Sequence, residues 1–151
     1  MRINQRKFIV GIVILSIVVG GYFIYINFSE KSSKICIEDK KCFVIEIVDS
    51  DAERTTGLSN RESLDKNKGM LFIFEDELVP GFWMKDMNFP IDIIWISSDF
   101  EIVGIETGLQ PCINVDSCLA VYPTQPIEYV LEINSNQAEE NNITEGDRVY
   151  F

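Results

Sequence analysis

The alternation of apolar and polar positions changes period several times along the chain, and each change predicts an element. From Phe8 to Phe28 the chain runs 21 residues without a charge. At about 1.5 Å per residue this is a helix roughly 31 Å long, close to the hydrocarbon thickness of a bilayer. Shorter patterns follow. Ile35 to Val48 reads as a hairpin, with Ile35, Phe43, Ile45 and Ile47 as strand formers around a Glu38-Asp39-Lys40-Lys41 tip. Ser50-Asp51-Ala52-Glu53 fits a capping box, a hydroxyl and a carboxylate each reaching an orphan backbone donor, and predicts a helix that Gly57 ends. Asn60 to Lys68 is polar and predicts a loop.

Met70 to Phe74 is apolar at every position, as a strand buried on both faces would be. Glu75-Asp76-Glu77 breaks that run and Pro80-Gly81 marks a turn. Phe82 to Met84, Ile91 to Ile96 and Glu101 to Glu106 predict further strands. Ile127 to Ile133 alternates, with Ile127, Tyr129, Leu131 and Ile133 on one face and Glu128, Val130 and Glu132 on the other. A helical turn near Gln137 to Asn141 and a strand from Arg148 to Phe151 end the pattern. Short strands with so little helix between them leave no room for the crossovers of a parallel sheet. The expected class is α+β: a mainly antiparallel β sandwich or partial barrel with one or two short helices, preceded by a single transmembrane helix.

Charge sets the orientation of that helix. Arg2, Arg6 and Lys7 precede it and Glu30 follows, which places residues 1–7 in the cytoplasm and the rest outside. Tyr22, Tyr25 and Phe28 fall at the far interface. The division is then a basic segment 1–7, an anchor 8–28, a linker 29–34 and an extracytoplasmic β-rich domain 35–151 in a single-pass membrane protein. A cleaved signal peptide is the rival, although apolar residues continue past the usual length of its core. Beyond residue 29 the chain carries 10 Lys and Arg against 24 Asp and Glu, a formal charge of −14. That argues against nucleic acid and against lying flat on an anionic lipid surface.

Cys36, Cys42, Cys112 and Cys118 form two pairs with the same gap of five residues. Outside the cytoplasm such pairs are usually disulfides. Three connectivities are possible, and local spacing favours Cys36–Cys42 with Cys112–Cys118. Zinc is the rival, but neither gap is typical of a zinc site and the chain has no histidine. No metal and no cofactor are expected, and triads built on histidine are excluded.

A run of motifs carries a resemblance. Gly57-Leu58-Ser59-Asn60-Arg61 is followed by Gly69 to Phe74, then Phe82-Trp83-Met84-Lys85-Asp86-Met87, Pro90 to Trp95, Pro111-Cys112 with Cys118 and Tyr122, Val130-Leu131-Glu132, and Gly146-Asp147. In this order, over residues 54–151, they resemble the uncharacterised prokaryotic family called "domain of unknown function 192". Departures from the family pattern are Ser59 for Met, Asp86-Met87 for Asn-Thr and Asn136 for a common Gly. The resemblance implies a compact, largely antiparallel β domain, often exported or membrane-anchored, and no activity.

The leading candidate site is Trp83-Met84-Lys85 with Arg61 and Asp92, because an indole beside a cation can stack on a ring while charged neighbours bond polar groups. The competing interpretation has Trp83 filling the core and the charges pairing among themselves. Such a site suits a binding or accessory module for an envelope glycan, peptide or protein. A hydrolase of envelope saccharides is the alternative, drawing two acids from Asp86, Asp92, Glu106 and Glu132. It predicts that one of these titrates well above the usual carboxylate range. A structural or assembly role is the third reading.

Overall fold

The computed structural model describes residues 33–112 and 118–151. The basic segment, the anchor 8–28 and most of the linker lie outside the described residues. Among the described residues no helix is long and apolar enough to cross a membrane.

Seven strands and two short helices follow in the order β1 (Ser33–Ile37), β2 (Lys41–Val48), α1 (Asp51–Thr56), β3 (Lys68–Leu78), β4 (Ile91–Ile96), β5 (Ile102–Leu109), β6 (Ile127–Asn134), α2 (Gln137–Glu140) and β7 (Val149–Tyr150). They form one sheet in the order β5-β4-β6-β3-β2-β1-β7. All neighbours are antiparallel except β2 and β3. That parallel pair corrects the expectation that no crossover would fit, since residues 49–67, with α1 among them, carry the chain back. The far edges also meet. The amides of Ile102 and Val149 donate to the carbonyls of Asp147 and Phe100, and the amide of Gly146 donates to that of Ile102. The sheet is therefore curled into a partial barrel, one of the two architectures expected.

Two cores follow from the period of two along each strand. Inside the curl lie Ile35, Ile37, Phe43, Ile45, Leu71, Ile94, Ile96, Leu131 and Ile133, with Ala138 and Ile143 closing one end. Outside lie Met70, Phe72, Ile91, Ile93, Trp95 and Val130, covered by Leu58, Met84 and Met87 from the connecting segments. A sheet with an apolar layer on both faces explains the unbroken apolar runs Met70–Phe74 in β3 and Ile93–Ile96 in β4.

Several boundaries differ from the expected ones, β5 for example running on to Leu109 rather than ending at Glu106. β3 continues through Glu75-Asp76-Glu77, which are exposed and so tolerate charge in a strand. Phe82–Met84 is not a strand: Phe82 forms a single antiparallel bridge with Val121. Lys68 begins β3 rather than ending a loop. The hairpin places Cys36 directly opposite Cys42, and the disulfides are Cys36–Cys42 and Cys112–Cys118. The capping box is formed, with the Ser50 hydroxyl accepting from the Glu53 amide and the Glu53 carboxylate accepting from the Ser50 amide.

Candidate functional site

Side-chain alternation puts one row of residues across the outer face. Glu46 of β2 is in register with Met70 of β3, Met70 with Glu132 of β6, and Glu132 with Ile93 of β4. Gly69, beside this row, allows the strands to pack there: a Cβ on it would meet the Glu132 carbonyl oxygen at 2.9 Å. Two segments then cover the row. The first runs from α1 to Arg61. The second, residues 80–88, is tied to the first by three hydrogen bonds. The Ser59 hydroxyl donates to the Lys85 carbonyl (3.2 Å), the Asn60 amide to the Asp86 carbonyl (2.7 Å), and the Asn88 side-chain amide to the Arg61 carbonyl (2.9 Å). Asn60 and Asp86 take positive φ, at 60° and 57°, a conformation that Asn and Asp adopt more readily than most residues. An Asp therefore serves this turn as the family's Asn would.

Between the two segments lies an open cavity of about 420 Å³, within the range of small-molecule sites. Phe72, Phe74, Phe82 and Trp83 supply its aromatic wall, and Glu132 lines it from β6. Glu132 is 6 % exposed, and its Oε2 has no hydrogen-bond partner among the described residues. Burial pushes its carboxyl up to about 8, against a smaller lowering by Arg61. Arg61 acts weakly because both its terminal nitrogens are held by Glu46, at 2.8 Å each, two strands away along the same row. The bond from Arg61 in turn holds the Glu46 carboxyl below its ordinary range. Arg54, also at the cavity, donates to the carbonyls of Asp49 and Ile73, pairs with Asp51 and lies over the Phe74 ring at 5.3 Å.

The five residues singled out in the sequence do not converge. Trp83 lines the cavity and is 55 % exposed, with the Lys85 ammonium over its ring at 5.3 Å. This corrects the view of Trp83 as core. Met84 is buried and lines a different hollow with Phe82, Leu109, Cys112, Leu119 and Val121. Arg61 is committed to Glu46. Asp92 is fully buried on the other face of the sheet, where it accepts from the amides of Gly108 (2.9 Å), Asn136 (3.2 Å) and Ala138 (3.0 Å). Those bonds use its acceptors to hold α2 and the end of β5, so it is a structural carboxylate and not a ligand group. Asn136 takes φ +68°, the left-handed conformation that accounts for Asn where the family commonly has Gly.

Among the four acids considered for hydrolysis, Glu132 alone combines burial with the cavity. Sequence reasoning had it among the acids but not at the site. Its place in the Val130-Leu131-Glu132 motif was the available signal. Among the described residues, no group of three or more Cys, Asp or Glu side chains is placed to hold a metal ion.

Comparison with known proteins adds the family. Residues 34–151 match DUF192, described as "Uncharacterized ACR". No curated protein shows significant similarity to the chain. Two solved structures share the fold. One is a protein of unknown function from Novosphingobium aromaticivorans, 26 % identical with a TM-score of 0.73, matched over 80 % of this chain and 85 % of that one. The other is a protein from Sinorhizobium meliloti described as a candidate transcription regulator, 25 % identical with a TM-score of 0.69, matched over 78 % and 89 %. The chain belongs to the DUF192 family of uncharacterised proteins.

Proposed function

We propose that the domain is a binding module and that the cavity between residues 57–61 and 80–88 is its site. The observation that carries this reading is Glu132, a buried carboxyl without a partner lining an open, ring-walled cavity. A buried polar group left unpaired costs free energy that a fold has no reason to bear, and a ligand would supply the missing partner. The uncharged run 8–28 and the two disulfides support placing the module outside the cytoplasm, tethered to the cell membrane, with its ligand among envelope components.

The test is a thermal-shift screen of the full chain against envelope glycans and peptides, with Trp83→Ala and Glu132→Gln beside the wild type. A ligand at about a hundred times its dissociation constant adds roughly 2.7 kcal/mol. A shift abolished by either substitution supports the reading. A shift that survives in both variants moves the site elsewhere, and no shift with any compound counts for an assembly role.

Saccharide hydrolysis remains a second reading, because Glu132 meets the mark set for a general acid, a carboxyl pushed well above its ordinary range. It needs a second carboxylate, and the other acid lining the cavity, Asp51, is paired with Arg54. Turnover of an envelope saccharide that is lost in Glu132→Gln would establish it.

A further inference from the structure

The cavity offers an acceptor and rings but no cation for the acceptor to meet. Arg54 is taken by two carbonyls and Asp51, and Arg61 by Glu46. Lys85 stands over Trp83. The rings suit positive charge: Trp83 and Phe74 each already carry a protein cation at 5.3 Å. Phe72 and Phe82 meet edge to face at 5.0 Å beside them. A formal charge of −14 beyond residue 29 draws cations toward the domain and repels anions.

We propose that the cavity takes a small organic ammonium, its positive nitrogen seated against Glu132 and its apolar body against Phe72, Phe82 and Trp83. This rests on the binding-module reading and names the ligand class of the same site. A neutral ligand could donate a hydrogen bond to Glu132 but would bring no charge to balance its ionised form. An ammonium replaces that state with a charge-assisted contact at a carboxyl that is itself buried, and the rings stabilise the same charge. The cavity volume suits a free small molecule.

The pairing has a proton cost that identifies it. The free carboxyl holds its proton up to about pH 8, and it must ionise to pair. The charge acting on it is Arg61, itself paired with Glu46, and Arg54 with Asp51 lines the same cavity wall. All four are paired.

The probe is benzyltrimethylammonium, whose charge does not depend on pH, with neopentylbenzene as its neutral isostere, titrated calorimetrically into the full chain. Affinity for the cation should rise about tenfold per pH unit from 5.5 to 7.5, with release of one proton over that range, and should level off above 8, where the release vanishes. Glu132→Gln should remove the slope and weaken the cation at least tenfold at pH 8.5 while sparing the neutral probe. Trp83→Ala, an exposed position that leaves the fold intact, should weaken the cation more than the isostere. Equal, pH-independent binding of both probes would overturn the ammonium assignment and leave the binding module standing. Binding of neither would count against both.

Discussion

Asp92 and Glu132 are buried carboxyls one register step apart on the paired strands β4 and β6, yet their surroundings differ completely. Alternation turns Asp92 to the inner face, where three backbone amides, from the end of β5 and the start of α2, converge on it. It turns Glu132 to the outer face, where apolar and aromatic side chains cover it and no donor meets Oε2. Equal burial thus has opposite meanings. A carboxylate that satisfies buried amides organises loops and belongs to the fold. One without a partner raises the energy of the fold, and under the proposed function that is the cost a ligand would relieve.

The largest effect should come from breaking the satisfied side. Asp92→Ala strands the amides of Gly108, Asn136 and Ala138, the last of them buried, and removes the tie to α2, so it should cost about 3 kcal/mol or more. In a domain of this size that lowers the midpoint by roughly 10 °C. Asp92→Asn, which keeps one good acceptor, should fall between. A loss below about 1 kcal/mol in denaturant unfolding would break the contrast, because Asp92 would then be no more structural than Glu132.

Glu132→Gln should act in the other direction. Its carboxyl titrates at about 8 in the folded protein and near 4.5 in the unfolded chain, so between these values the folded state holds the extra proton. Stability contributed by that proton is complete below about 4.5 and is lost as pH rises through 8. Relative to wild type, the variant should gain about 2 kcal/mol or more between pH 5 and pH 8.5. Denaturant unfolding at the two pH values measures it. The lowered carboxyls of Glu46 and Asp147 act below this window and do not mask it.

A smaller effect comes from Asp147, a third buried acid that resembles Asp92 in being satisfied. Burial pushes its carboxyl up, but the Lys40 ammonium at 2.6 Å and the Thr144 amide at 2.8 Å more than offset this and hold it below its ordinary range. Lys40→Met should cost about 1 kcal/mol near neutral pH. Because the depressed carboxyl contributes stability above about 3.8 that is lost on acidification, the cost should shrink as pH falls through that region.

The hairpin, the capped helix, β4 and β6 were legible because each depends on residues close in sequence. The parallel pairing of β2 with β3 was not, since the crossover 49–67 makes a parallel neighbour with only a six-residue helix. Trp83 could be singled out as an indole beside a lysine. Glu132 could not be placed, because along β6 it alternates with Leu131 and Ile133 in the pattern of a solvated face. Its burial comes from residues 57–61 and 80–88, more than forty positions away, and no local period reports such a cover. Asp92 misled for the same reason: the amides that take up its oxygens come from Gly108, Asn136 and Ala138.

The smallest effect on stability should belong to a residue of the proposed site. Trp83 is 55 % exposed, and its indole touches the Lys85 ammonium and the cavity rather than the packed layer beneath. Trp83→Ala should change unfolding free energy by no more than about 0.5 kcal/mol, as truncation outside a core generally does. Phe82, which packs edge to face on both Phe72 and Trp95, supplies the contrast one residue away. Phe82→Ala should cost about 3 kcal/mol. If Trp83→Ala proved as costly as Phe82→Ala, Trp83 would be part of the outer core after all. The outer face would then lose its aromatic rim, leaving Glu132 alone to argue for a site.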